Sequence, residues 1–532
     1  MPRPRLALIG ALLGALVTPL SLSTPAIAAA DRSVVVTDKG AVRGSVTDAG
    51  RAFHRIPFAA PPVGELRWRA PRPAAPWTGA RDATVPGPEC AQAGSPELHQ
   101  PRVTNEDCLY LNVYTPASRL PDRPVMVWFH GGGFTAGSAN PYDGSALASR
   151  GVVVVTVNYR LGAFGFLAHP ALSGEDRRLG SGNYGTLDQQ AALRWVRANA
   201  AAFGGDPRRV TIFGESAGGV SVCAHLASPL TGGLFSRAIV QSGPCNLLPR
   251  TLPDAEAAGE RFATATGCQG RPDVPACLRT RPAGAVLDAT GDSETWAPTT
   301  GTPVLPVDPA SAIASGAYHR VPTMAGSNLD EGTIFAALTE AGGVPLNAAT
   351  YPAVLTGLYG ADAPRVQARY PGSAYGEDYR LALGAVLTDS LFACPTWDLN
   401  RSLARSTRTY GYEFADRTAP NLYGVTPGFP LGAYHAAELP YLFRFQGLPL
   451  DPAQLRLSDQ MLSYWTRFAA GGDPNGGPAP RWQPFRPAHP TVLTLDLGRR
   501  VNGYDFDARH QCAFWATVSS GTMGAANIRS LA

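Results

Sequence analysis

Four short, almost unbroken apolar runs stand out between residues 120 and 245: Val125-Met-Val-Trp-Phe129, Val152-Val-Val-Val-Thr-Val157, Val210-Thr-Ile-Phe213 and Ala238-Ile-Val-Gln241. A strand with one wet face alternates apolar and polar residues, whereas continuous runs of this length suit strands buried on both faces of a parallel sheet. Between the second and third runs, Leu187, Ala191, Trp195, Val196 and Asn199 recur at helical spacing. They predict a helix from Leu187 to Phe203, stopped by Gly204-Gly205-Asp206-Pro207. A further helix is predicted from about Val220 to Ala227. This alternation is that of an α/β fold with a mostly parallel sheet flanked by helices.

The remaining punctuation argues against a second domain. The Pro-rich stretch 57–88 carries Phe58, Leu66, Trp68 and Trp77, which predicts a docked loop with buried anchors. Gly471 to Pro480 reads as a surface loop, and no linker separates independent units. Residues 29–532 are therefore expected to form a single domain.

The first 28 residues read as a secretory signal. Arg3 and Arg5 form a positive start, Leu6 to Val17 an apolar run, and Ala26-Ile27-Ala28 a small-residue cleavage site, with cleavage after Ala30 as the alternative. The run is too short to span about 30 Å of hydrocarbon, and Pro19 closes it. No later segment reads as membrane-spanning, so a secreted protein is expected. The chain of 532 residues is 45% hydrophobic and 16% charged, which excludes a disordered scaffold. Formal net charge is only +4, two of those charges lying in the leader, so no electrostatic footprint for nucleic acid exists. Eight cysteines in an exported chain suggest disulfides, with about 105 pairings open in principle. Cys268 and Cys277 are near enough in sequence to staple a local loop. No Cys-x-x-Cys is present, and neither a metal nor a cofactor is expected.

The chemistry concentrates in Phe213-Gly214-Glu215-Ser216-Ala217-Gly218-Gly219, a Gly-x-Ser-x-Gly pattern between a predicted strand and a predicted helix. Such a turn is sharp enough to exclude side chains at both glycines. It lifts the Ser216 hydroxyl clear of the sheet, with a helix N-terminus behind it. A serine hydroxyl needs an oriented base and a third group holding that base. His130-Gly131-Gly132-Gly133-Phe134 directly follows the first strand, and its glycines let backbone N–H groups approach an oxyanion. With Ala217 N–H, those of Gly132 and Gly133 are the expected oxyanion hole. A dinucleotide-binding reading of Gly131-x-Gly133-x-x-Ala136 fails, because Pro141 interrupts the helix it requires and the next strand ends in Asn158-Tyr159.

Glu106-Asp-Cys-Leu-Tyr-Leu-Asn112, Asn158-Tyr-Arg-Leu-Gly-Ala-Phe-Gly-Phe166 and Gly182-Asn-Tyr-Gly-Thr-Leu-Asp-Gln189 accompany the Ser216 turn. Together they resemble the type-B carboxylesterase/lipase family, which includes carboxylesterases, cholinesterases and bile-salt-type lipases. The resemblance implies the α/β-hydrolase fold with long insertions. It also implies a serine carboxylic-ester hydrolase with Glu331 as triad acid, Asp330 as its neighbouring rival, and His435 as base. His489 and His510 read as exposed or structural, and His130 and His225 as bracing the site. Glu215 is expected to tune the nucleophile. Family likeness further pairs Cys90 with Cys108, Cys268 with Cys277, and Cys394 with Cys512, leaving Cys223 and Cys245 as either a fourth bridge or two buried thiols. Arg67 with Glu106, and Arg160 with Asp188, are implied internal ion pairs.

Departures from the family narrow the substrate. Leu98 and His99 stand where cholinesterases place a tryptophan for a quaternary ammonium, which disfavours choline esters. Asp292-Ser-Glu-Thr-Trp296 suggests an open acyl side with Trp296 as its main wall. The expected substrate is a small ester of short to medium acyl chain. A lipase or polyester/plasticiser esterase is the rival within the family, and a non-catalytic cholinesterase-like binding module the rival outside enzymology.

Overall fold

The computed structural model describes residues 1–2, 31–95, 100–118, 120–246, 250–290, 296–498 and 502–518. Nearly all of the leader, Leu98, His99 and 291–295 lie outside the described residues. Ser33 to Ala532 make one compact unit, distinct from Met1 to Arg32.

An eleven-stranded sheet organises that unit. In chain order its strands are β1 (Ser45–Thr47), β2 (Gly50–Pro57), β3 (Tyr110–Pro116), β4 (Arg123–Phe129), β5 (Val153–Val157), β6 (Gly205–Glu215), β7 (Arg237–Gln241), β8 (Thr323–Asn328), β9 (Thr409–Phe414), β10 (Val492–Leu495) and β11 (Asn502–Gly503). Across the sheet they run β11-β10-β9-β8-β7-β6-β4-β5-β3-β2-β1. The seven strands from β10 to β5 are mutually parallel. The strands at both margins are antiparallel.

The apolar runs are continuous because each central strand feeds two cores. In β4, Val125, Val127 and Phe129 join one buried cluster, while Met126 and Trp128 join the other. That is the period-two alternation of a strand, hidden in the sequence because both faces are dry. Helix α1 (Tyr184–Asn199) starts three residues before the sequence signal and tightens into a 3-10 turn over Ala200–Phe203. Gly204 then ends it in the left-handed conformation (φ 85°). Helix α2 (Ala217–Ala227) also starts three residues early, immediately after Ser216. Strand β6 runs from Gly205, well before the predicted Val210, and so contains Pro207. The proline is accommodated where the β4–β6 register slips between Arg123 and Val125, a place where no ladder bond is required.

On the second face lies α3 (Pro452–Gly471). Asp451 and Gln454 form a reciprocal capping box, Pro452 opens the first turn, and Gly472 closes the helix at φ 72°. Leu457, Met461, Trp465 and Phe468 are fully buried at helical spacing against the sheet. Burial of each contributes roughly 1.5–3 kcal/mol.

The docked loop behaves as predicted at two anchors. Phe58 and Trp68 are buried, with the Trp68 indole N–H donating to the Ala163 carbonyl at 2.8 Å, while Leu66 and Trp77 are half-buried. Four disulfides join Cys90–Cys108, Cys268–Cys277, Cys394–Cys512 and Cys223–Cys245, so the last pair is a bridge between α2 and the loop after β7. Both implied ion pairs form: Arg67 Nε donates to Glu106 at 2.7 Å, and Arg160 to Asp188 at 2.7 Å. No helix among the described residues is long and apolar enough to cross a membrane.

Candidate active site

The carboxyl ends of the parallel strands gather the candidate residues, as expected where strands open toward ligand in such sheets. Glu215 ends β6 and lies in register with Gln241, the last residue of β7, which in turn pairs with Gly326 of β8. Between Glu215 and α2 sits Ser216, at φ 55° and ψ −124°. A non-glycine residue held there stores roughly 1–3 kcal/mol of strain. The strain is fixed by packing on both sides. A Cβ on Gly214 would lie 2.4 Å from the Gly218 carbonyl oxygen, and one on Gly218 only 1.9 Å from that of Phe129. Ser216 N–H donates to the Gln241 carbonyl at 2.9 Å, and its own carbonyl accepts the first α2 bond, from Val220 N–H, also at 2.9 Å.

The glycine run after β4 lies against this turn, since a Cβ on Gly131 would come within 3.1 Å of Ser216 Cβ. Gly132 and Gly133 take φ 103° and 59°, and the Gly132 carbonyl is capped by Thr135 and Ala136 N–H groups at 3.0 Å each. Ala217 is the first residue of α2, where N–H groups have no intrahelical partner. His130 braces the run. Its Nδ1–H donates to the Gly131 carbonyl at 2.8 Å, its ring stacks on Tyr159 at 4.4 Å, and burial lowers its pKa to about 4. His225, buried against Phe129, is pushed down to about 3 by burial and by Arg194. Neither is placed to serve as a base.

His435 has the opposite environment. It is 4% exposed, and its Nδ1–H donates to Glu331 Oε2 at 2.6 Å. Glu331 is fully buried, just beyond β8, and its other oxygen accepts Asn328 N–H at 2.7 Å. Neighbouring Asp330 points away. It accepts Arg417 at 2.8 Å through both oxygens and Ala433 N–H at 2.9 Å. Two phenyl rings flank the imidazole, Phe335 at 5.2 Å and Phe392 at 4.8 Å. Burial alone would disfavour the imidazolium, but the carboxylates of Glu215 and Glu331 outweigh it and raise the His435 pKa above its ordinary range.

Glu215 is likewise buried, with Oε1 3.0 Å from His435 Nε2. Burial pushes its carboxyl up to about 8, against the attraction of His435. Among the described residues the Ser216 hydroxyl makes no hydrogen bond, and the His435 Nε2 faces Glu215. Catalytic hydrogen bonds are often loose without substrate. His489 is exposed, and His510 sits elsewhere between Asp389 and Glu413. Trp296 does not wall an acyl site: it is 1% exposed, under Arg250, edge-on to Phe262, with its indole N–H donating to Thr290.

A further shell, which no sequence motif singles out, lies behind the imidazole. Glu438 is fully buried and accepts Asn328 Nδ2 at 2.8 Å and Gln241 Nε2 at 3.0 Å, while Gln241 Oε1 accepts the Trp465 indole N–H at 3.0 Å. Burial raises the Glu438 carboxyl. A lone carboxylate inside the apolar run after His435 was the available signal. Among the described residues no group of His, Cys, Asp or Glu side chains could hold a metal ion.

The carboxylesterase family profile matches residues 31–515. The chain is 37% identical over 482 residues to a fumonisin B1 esterase of Sphingopyxis macrogoltabida, covering 84% of each protein. It is 36% identical over 513 residues to the pyrethroid hydrolase Ces2e of Rattus norvegicus, covering 90% of this chain and 88% of the relative. A relative of Dictyostelium discoideum called crystal protein is 35% identical over 500 residues, covering 88% of each. With its mostly parallel sheet and covering helices, the chain belongs to the carboxylesterase family, has the α/β-hydrolase fold, and is a carboxylic-ester hydrolase.

Proposed function

We propose that the protein is a secreted serine carboxylesterase acting through Ser216, His435 and Glu331 on small esters of short to medium acyl chain. The reading is carried by one observation: a strained serine opens α2 at the same sheet edge where a buried glutamate grips His435 Nδ1 at 2.6 Å. In the proposed cycle Ser216 Oγ attacks the ester carbonyl carbon while His435 Nε2 takes its proton. Glu331 fixes the tautomer and stabilises the imidazolium. The N–H groups of Gly132, Gly133 and Ala217 receive the oxyanion, each such donor being worth on the order of 10²–10³ in rate. His435 then protonates the leaving alcohol, and water attacks the acyl-serine by the same route in reverse.

Glu215, adjacent to both groups, supports the imidazole between turnovers. The single domain is proposed to begin at residue 29, after removal of 1–28, and the four disulfides are compatible with an oxidising destination. No cofactor enters this cycle. Relatives bearing the names fumonisin B1 esterase and pyrethroid hydrolase make bulky natural or synthetic esters reasonable substrates alongside simple ones. Hydrolysis of p-nitrophenyl acetate, butyrate and octanoate tests the proposal. Activity that peaks at the shorter chains in solution, and disappears in His435→Ala, is the expected result. Turnover confined to emulsified long-chain esters would instead make it a lipase.

A further inference from the structure

A helical segment remote from Ser216 in sequence converges on the base and its acid. Residues Tyr379–Leu387 form an α-helix, Thr388–Ala393 a π-helical turn, and Cys394–Leu403 a further α-helix. A π-turn wedges an extra residue into the helical repeat; such turns are rare and frequently sit at functional sites. One side of this turn touches the catalytic apparatus: Thr388 Oγ1 accepts the Gly332 N–H, next to Glu331, at 2.9 Å. The Phe392 ring lies 4.8 Å from the His435 ring and stacks on Phe335 at 5.8 Å. The other side is pinned by a buried ionic cluster. Asp389 Oδ1 meets His510 Nδ1 at 2.6 Å, Asp389 Oδ2 accepts the Tyr370 hydroxyl at 2.7 Å, and His510 Nε2 meets Glu413 at 2.7 Å. Arg509 neutralises the other Glu413 oxygen at 2.9 Å, and Cys394–Cys512 ties the end of the turn to the segment that carries His510.

We propose that the Thr388–Ala393 turn is a positioning device for the His435–Glu331 pair, set in place by the Asp389–His510–Glu413 cluster. The inference rests on the assignment of His435 and Glu331 as base and acid. A packed turn held at both ends has no slack. Loss of either anchor lets Gly332 and the Phe392 ring shift, and a misplacement of about 1 Å at reacting groups costs on the order of 10²-fold in rate.

The test uses the full secreted enzyme with p-nitrophenyl butyrate. Thr388→Val keeps the shape but removes the acceptor. It is expected to lower kcat at least about tenfold with KM within twofold, and Thr388→Ser is expected to recover most of the loss. Asp389→Asn, which touches neither substrate nor triad, is expected to lower kcat in the same sense. If Asp389→Asn fails to fold, the Thr388 pair still decides. Unchanged kcat in Thr388→Val, or equal loss in Thr388→Val and Thr388→Ser, would overturn the inference. A His435→Ala control separates the two levels: if it keeps turnover, the triad assignment fails instead.

Discussion

The buried cluster around His510 gives stability an alkaline limit that can be calculated. Burial alone would lower the His510 pKa. The hydrogen bonds and charges of Asp389 and Glu413 outweigh burial and raise it from 6.5 to about 9. Asp389 itself is held up by burial, Glu413 is held down by His510 and Arg509 despite burial, and Tyr370 completes the groups around Asp389. A group whose folded pKa exceeds its unfolded value stabilises fully below the unfolded pKa, here 6.5. That contribution is lost as pH rises through the folded value near 9. At about 1.4 kcal/mol per pKa unit the contribution is about 3 kcal/mol, undiminished by solvent because His510 is only 4% exposed.

Replacing it with glutamine removes this titration while retaining a hydrogen-bonding side chain. His510→Gln should therefore be less stable than the parent at pH 6, and the gap should shrink by about 3 kcal/mol by pH 10. Urea unfolding followed by tryptophan fluorescence measures both, with the disulfides left intact. All eight cysteines are paired, so no resident thiolate starts disulfide exchange at alkaline pH. Groups remote from the cluster that titrate in this range, tyrosines and His435 included, cancel in the difference between the two proteins. Parallel stability curves for parent and variant from pH 6 to pH 10 would show that His510 carries no such linkage.

Two further substitutions separate roles that sequence alone leaves entangled. Glu331→Gln should lower kcat by on the order of 10³–10⁴. Asp330→Asn should change it less than about twofold, because its partner Arg417 is 64% exposed and such pairs contribute under about 1 kcal/mol. Steady-state kinetics on p-nitrophenyl butyrate distinguishes the pair. Gly218→Ala should cost more than about 3 kcal/mol or prevent folding, since its Cβ would overlap the Phe129 carbonyl at 1.9 Å. Gly174→Ala, with nothing among the described residues within 4 Å, should be neutral or stabilising by up to about 1 kcal/mol in thermal unfolding.

The parts of this molecule that the sequence makes legible are those where one physical constraint dominates. The central strands are buried on both faces, so Val125–Phe129 appears as an unbroken apolar run and Val153–Val157 as one interrupted only by Thr156. The Ser216 turn is legible because two backbone approaches exclude any side chain at Gly214 and Gly218. Legibility fails where long-range contacts decide. Pro207 argues locally against a strand, yet β6 runs through it because the β4 register slips there. Gly218-Gly219 has little helical propensity, and α2 runs through it because the elbow forces the start at Ala217. Asp330 and Glu331 are adjacent acids with equal local claims, and only the fold turns one inward to His435 and the other out to Arg417. Trp296 looks like a pocket wall from its neighbourhood in the chain and is a core residue under Arg250. Thr388 and Phe392 carry no signal at all, since their meaning comes from residues 56 and 43 positions away.

The assignment of Ser216 as the attacking group is tested most directly by intact-mass analysis after reaction with an active-site fluorophosphonate, run in parallel on the parent and on Ser216→Ala. One covalent adduct per parent chain is expected, located by peptide mapping on Ser216, together with loss of ester hydrolysis. Neither adduct nor turnover is expected in Ser216→Ala. A labelled and active Ser216→Ala, or a folded parent that hydrolyses esters without taking the label, would contradict it.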